Sequence, residues 1–240
     1  MTSAHGITHD YSPGEYIVII EPKDSTKFFF KFGNGASSYF PTGAGRLITE
    51  CIQTPSFAGM ARWEGTFASC NKLCKLHSGC KIPEGVTSAN GIFSTASGWP
   101  TVDVELNNDF TLPSTLTSAQ YTFGNYALLI RHIPQSCQLP PNCKNFFYFM
   151  HTWTASIVTV PANWKLPAVA TNCERMFNNQ SLLEFDISNF FPNEWANGGY
   201  TCNIKTMFTN CAKITGTVPT WIFDGTNNLT HGTDTFKRMC

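Results

Sequence analysis

The sequence predicts an α/β protein: a right-handed solenoid of about six repeats that follows a small β-rich N-terminal module. Three observations support this. Large apolar residues recur at gaps of 26 to 31 residues, positions that are mostly apolar or small precede them at helical spacing, and a strand-like run often ending at proline follows. Because one such unit cannot bury its apolar face alone, stacked copies are expected to join their strands into a continuous parallel sheet.

Residues 1–55 are expected to form the β-rich N-terminal module. Two runs rich in β-branched and aromatic residues, 15–21 and 26–32, flank a short break that carries proline, aspartate and serine. This composition is typical of two strands joined by a turn. Residues 56–240 would then form the repeat domain.

Seven apolar anchors define the repeat domain. They are Phe67, Phe93, Phe123, Met150, Phe177, Phe208 and Phe236. The positions four and seven residues before each anchor are mostly apolar or small, which places all three on one face of a predicted short helix. Thr-Ser pairs before Ala89 and Ala119 would supply the N-cap hydroxyl of that helix.

Two segments, 176–190 and 207–219, carry a more specific pattern. Each begins with Met-Phe, continues through Asn-rich or Asn-Cys turn residues, and ends in a strand-like run. This sequence pattern resembles the BspA-like leucine-rich repeat of bacterial surface proteins, and the resemblance covers roughly residues 60–240. The repeats here are longer than the usual two dozen or so residues, and several strands are rich in Thr, Val or Trp instead of Leu. The resemblance implies a leucine-rich-repeat-like solenoid that serves as a non-catalytic scaffold on bacterial surfaces, or occasionally in viruses and protists.

Charge and hydropathy narrow the function classes. Sixteen basic and sixteen acidic residues give a net charge of zero, and charged residues make up only 13% of the chain. A neutral chain has no overall positive electrostatic field that would attract nucleic acid. Electrostatic repulsion between copies of the chain is also weak. No apolar run is long enough for membrane insertion. The first residues lack a secretory signal, which favours an extracellular-surface or virion-associated assembly component over a classically secreted adhesin.

The sequence contains no motif of a known catalytic class. There is no G-x-S-x-G elbow, no H-E-x-x-H helix and no phosphate-binding glycine loop, so neither an enzyme nor a cofactor is expected. Glu184 and Asp186 share one face of a predicted strand, where such pairs are usually solvated.

A zinc site is the metal alternative. Its candidate ligands are Cys70, Cys74, His77 and Cys80, because three thiols and an imidazole within eleven residues could hold the metal tetrahedrally. The competing interpretation is that Cys70 is the turn cysteine of a repeat, since the spacing is not that of paired C-x-x-C motifs.

The sequence does not decide whether the ten cysteines are free thiols or form disulfides. Without a visible signal peptide, reduced thiols used as small buried groups are the default. Some pairs could oxidise if the chain is exported by another route or carried on a virus particle, and sequence alone does not give the pairing.

Tryptophans are the candidate binding residues. Trp99, Trp153, Trp164, Trp195 and Trp221 recur at loosely repeat-like intervals. An exposed ladder of them could stack on sugars or anchor a protein, whereas the alternative is burial between repeats. Residues 229–240 begin a seventh unit and stop before its strand, so the half-repeat could be a cap, the chain could be a fragment, or another subunit could cover that end.

These observations predict a non-enzymatic structural or adhesion protein. It would present a repeat surface to a protein partner or to further copies of itself. The alternative function is a carbohydrate-binding adhesin that uses the tryptophans.

Overall fold

The computed structural model contains eight short strands in the part of the chain that it describes. The described residues are 48–54, 61–68, 70, 72–94, 103–124, 129–152, 156–224, 228–230 and 234–239. The strands are β1 (Glu50–Gln53), β2 (Lys75–Gly79), β3 (Asp103–Val104), β4 (Leu129–Ile130), β5 (Phe185–Asp186), β6 (Thr201–Asn203), β7 (Ile214–Thr215) and β8 (Asn228–Thr230). The described residues also contain two 3-10 helices, Asn193–Asn197 and Thr220–Ile222. Most of the predicted N-terminal module, residues 1–47, lies outside the described residues.

All strand pairing is parallel within the described residues. The pairs are β1 with β2, β3 with β4, β5 with β7 and β6 with β8. Single parallel bridges form a further row, which links Arg62, Ser88, Ser118, Asn145, Asn172 and Asn203 in that order. Chain segments 26 to 31 residues apart therefore lie side by side.

Phenylalanine rings stack across these neighbouring segments. The rings of Phe67 and Phe93 lie 5.7 Å apart, and those of Phe93 and Phe123 lie 5.6 Å apart, both nearly parallel. The rings of Phe177 and Phe208 are 5.2 Å apart with an interplanar angle of 7°. All five side chains are buried. Ring stacking of this kind adds to the stabilisation that burial provides.

The other anchors also lie in or against the core. Met150 is buried, and its neighbour Phe149 packs edge-on against Phe123 with ring centres 5.3 Å apart. Phe236 is half-buried and stacks on Phe208 at 5.9 Å. Sequence spacing thus identified residues of the apolar core.

The predicted right-handed α/β, leucine-rich-repeat-like solenoid is wrong. The described residues contain no α-helix, and their strands form four separate two-stranded sheets, not one continuous sheet. The backbone has a positive φ two residues before each of several anchors, for example 53° at Tyr121 and 57° at Arg175. A right-handed helix cannot continue through a left-handed residue, so tight turns take the place of the predicted helices.

Asparagine side chains stabilise these turns. The Asn145 Oδ1 accepts a hydrogen bond from the Phe147 backbone N–H at 3.1 Å, and Asn172 and Asn203 repeat this bond two residues onward at 3.2 and 3.1 Å. Such local bonds offer the backbone an alternative to a helical hydrogen-bond ladder. Across the described residues, no helix is long and apolar enough to span a membrane.

Candidate interaction surface

Six residues with left-handed backbone form a column, one from each of six successive segments. They are Gly65, Gly91, Tyr121, Tyr148, Arg175 and Thr206, with φ between 53° and 63°. Glycine adopts this conformation without steric cost, whereas a residue with a Cβ atom is disfavoured by roughly 1 kcal/mol or more. Four consecutive segments therefore carry a side chain where the backbone favours glycine, and in three of them it is a bulky tyrosine or arginine.

These side chains and Phe147 form a continuous patch, which we call the aromatic strip: Tyr121, Phe147, Tyr148 and Arg175. The rings of Tyr121 and Tyr148 are 5.1 Å apart, and Phe147 lies 5.6 Å from Tyr121 and 4.3 Å from Tyr148. All four side chains are half-buried, so part of each reaches solvent. Gly124 assists this packing, because a Cβ atom there would overlap the Tyr148 carbonyl oxygen.

Arg175 is held over the strip by several contacts. Its guanidinium carbon lies 5.1 Å from the centre of the Tyr148 ring, and its NH1 group donates a hydrogen bond to the Tyr148 hydroxyl. The Glu174 carboxylate lies 4.0 Å from the Arg175 Nε and also accepts a hydrogen bond of 2.9 Å from the Asn203 amide. The Arg175 side chain is nonetheless 40% exposed, so its charge is available to a partner.

A buried histidine lies beside the strip. His151 is 3% exposed, and its ring centre is 4.7 Å from that of Tyr148. The pKa of His151 is lowered to about 4, mainly by burial and in smaller part by the positive charge of Arg175, while hydrogen bonds with Asn178 oppose both effects. The imidazole is therefore neutral at pH 7.

Two of the five tryptophans named as candidate binding residues are buried, as the alternative of burial between repeats predicts. Trp164 and Trp195 are 2% and 0% exposed, and their indole N–H groups donate to the carbonyl oxygens of Cys137 and Ala168 at 2.6 and 3.0 Å. A large ring with one polar atom is well suited to such a site, and it cannot stack on a sugar from there. Trp221 is half-buried against Phe191. Trp99 and Trp153 lie outside the described residues.

The four candidate zinc ligands do not converge in the structure. The Cys74 thiol donates to the Thr49 carbonyl at 3.2 Å, and the Cys80 thiol donates to a different carbonyl at 2.7 Å. The His77 Nε2 lies 2.6 Å from the Glu50 carboxylate, and Cys70 is buried. Among the described residues, no group of three or more His, Cys, Asp or Glu side chains is placed to hold a metal ion.

Several of the described residues with titratable side chains are held by burial or by ion pairs. Burial raises the pKa of Cys70, Cys143 and Cys211 to about 12, which keeps these thiols protonated at neutral pH. Glu184 forms an exposed ion pair of 2.9 Å with Lys213, which lowers the pKa of Glu184 through its hydrogen bond and charge.

A small cleft of about 330 Å³ lies at the end of the β1–β2 pair. Its charged lining residues are Lys81 and Glu84, and neither a thiol nor an imidazole is among its lining side chains. Within the described residues, the aromatic strip combines half-buried aromatic rings with a partly exposed charge.

The aromatic strip is visible in the sequence when the repeats are aligned, although it is not visible in the overall composition. When the anchors are aligned, Tyr121, Tyr148 and Arg175 fall at the position where Gly65 and Gly91 stand. A shared glycine column interrupted by bulky residues indicates an unusual backbone position.

Comparisons with known proteins provide no relative on which to base a function. No family model, no curated protein and no solved structure matches the chain. The resemblance to BspA-like repeats therefore stays a prediction.

Proposed function

We propose that this chain is a non-catalytic structural protein that self-associates through the aromatic strip. The observation that carries the proposal is the left-handed backbone of Tyr121, Tyr148 and Arg175, with φ of 53°, 56° and 57°. Backbone strain of this kind persists where the surrounding structure enforces it, and it is concentrated at functional sites. Tyr121, Tyr148 and Arg175 hold this backbone in adjacent segments beneath one surface patch, which supports a selected role for their side chains, while Thr206 continues the same column outside the patch.

The composition of the strip suits a contact between proteins. Tyrosine, phenylalanine and arginine are enriched where proteins meet, and tyrosine and arginine dominate binding energy there. Arg175 is already positioned by the Tyr148 ring and hydroxyl. A side chain ordered before binding loses less conformational entropy when the partner arrives.

A second copy of the chain is the partner that the charges favour. The net charge is zero and charged residues are scarce, so repulsion between copies is weak. The strip also carries both signs at its edge, because Arg175 and Glu174 are adjacent and partly exposed. A two-fold contact brings the same patch of both copies together, so Arg175 of one copy would face Glu174 of the other.

Light scattering of the full chain over a range of concentrations tests this proposal. We expect the mass to rise with concentration, and the variant Tyr148→Gly to weaken association at least tenfold. Glycine fits the left-handed backbone at this position, so the variant removes the ring while keeping the turn.

The matched control is Thr206→Gly, which makes the same backbone change in the same column without removing an aromatic ring. It should associate like the unmodified chain, with circular dichroism showing that all variants are folded. A mass equal to one chain at every concentration would overturn the proposal. Tyr148-dependent binding of sugars by such a monomer would favour the carbohydrate-binding adhesin instead. An extracellular or virion location stays a prediction.

A further inference from the structure

We infer that Cys173 and Cys202 form a disulfide cross-link site that joins two neighbouring segments of the chain. Their sulfur atoms lie 3.8 Å apart, and both side chains are fully buried. The inference is independent of self-association through the aromatic strip.

The backbone around the two cysteines is already paired. Asn172 and Asn203 form a parallel bridge, and the Cys173 N–H donates to the Asn203 carbonyl oxygen at 2.7 Å. Cys202 lies in β6, which pairs with β8 on its other side. Bond formation therefore requires the sulfur atoms to close from 3.8 Å to about 2.0 Å between segments that are held in register.

The reaction needs an oxidant, for which a small disulfide such as oxidised glutathione is sufficient. The Cys202 thiolate attacks one glutathione sulfur and releases one glutathione thiolate, which gives a mixed disulfide. The Cys173 thiolate then attacks the Cys202 sulfur and releases the second glutathione. Two protein thiols are oxidised to one disulfide, and one oxidised glutathione is reduced to two thiols that take up the two protons.

Burial determines when this reaction occurs. Burial, together with the neighbouring Cys202 thiol, raises the pKa of Cys173 well above its ordinary value, so the folded chain holds the protonated thiol. Attack is therefore expected during folding or local opening of this region. Once formed, the bond would close a loop between residues 29 positions apart and restrict the unfolded chain.

The test refolds the full chain from urea in mixtures of oxidised and reduced glutathione, and treats the folded chain in parallel. After alkylation of free thiols, peptide mapping by mass spectrometry should find a Cys173–Cys202 linked peptide. We expect the cross-link to raise the melting temperature by about 5–10 °C. Cross-linking in the refolded sample alone would support the same site and show that burial blocks access in the folded state.

Two variants make the outcome decisive. Cys202→Ala should abolish both the linked peptide and the rise in melting temperature between reduced and oxidised samples. Cys137→Ala, the matched change at another buried thiol, should retain both. The inference is overturned if refolded, oxidised protein lacks the Cys173–Cys202 peptide, or if Cys173 is instead linked to its other thiol neighbour, Cys143.

Discussion

Replacing Phe177 with alanine is expected to lower the free energy of unfolding by about 4 kcal/mol. The Phe177 ring is fully buried, stacks on Phe208 at 5.2 Å and contacts Phe190 edge-on at 5.5 Å. The substitution would remove apolar burial and ring contacts and leave a cavity in the core. The short strands contribute little to holding the neighbouring segments together, so the loss of ring packing is not compensated. Urea unfolding followed by tryptophan fluorescence measures the loss.

Phe223→Ala is the matched control, since Phe223 is 56% exposed and packs edge-on against Phe236. We expect it to lower the free energy of unfolding by less than about 1.5 kcal/mol. The slope of free energy against urea concentration should stay constant if both variants unfold as the original chain does. Equal losses of unfolding free energy in the two variants would contradict the view that the buried, stacked rings provide most of the stability of the core.

Regular spacing is what made the core predictable from sequence. A large apolar residue, in most cases phenylalanine, recurs every 26 to 31 residues, and phenylalanine rings from neighbouring segments stack on one another. The prediction of a short helix before each anchor was wrong. Apolar positions four and seven residues before an anchor fit a helix, but they equally fit two consecutive turns that both point side chains inward.

The turns could not be distinguished from helices by hydrophobic pattern, because the deciding forces are local. An asparagine side chain bonded to the backbone two residues onward, as at Asn172, competes with a helix. A left-handed residue such as Arg175 then ends any helical path. Arginine and tyrosine give no intrinsic sign of this conformation, which the surrounding tertiary structure imposes.

The burial of two candidate binding tryptophans has a related local cause. Trp164 and Trp195 are suited to the core because each indole N–H finds a backbone carbonyl there. Tyrosine at 121 and 148 remains half-exposed because its backbone position turns the chain at the surface of the segment. Aromatic residues in a sequence indicate a binding surface only once their backbone positions are known.

Acidification is expected to destabilise the chain through His151. The pKa of His151 is about 4 in the folded state, because the ring is buried and Arg175 lies nearby, and about 6.5 in the unfolded chain. The unfolded chain therefore binds the proton more tightly. The contribution of neutral His151 is complete above about pH 6.5 and is lost as the pH falls towards 4, by about 3 kcal/mol in total.

Carboxyl groups also change stability with pH, so the contribution of His151 to the free energy of unfolding is measured as the difference between the original chain and a variant without the imidazole. Urea unfolding at several pH values between 7 and 4 should show a steeper loss of stability for the original chain than for His151→Gln, which does not titrate. Because the Arg175 charge also lowers the pKa of His151, Arg175→Gln should raise that pKa and reduce the pH-dependent loss. Parallel curves for the original chain and His151→Gln would mean that His151 titrates alike in the folded and unfolded states, and that burial does not hold it neutral.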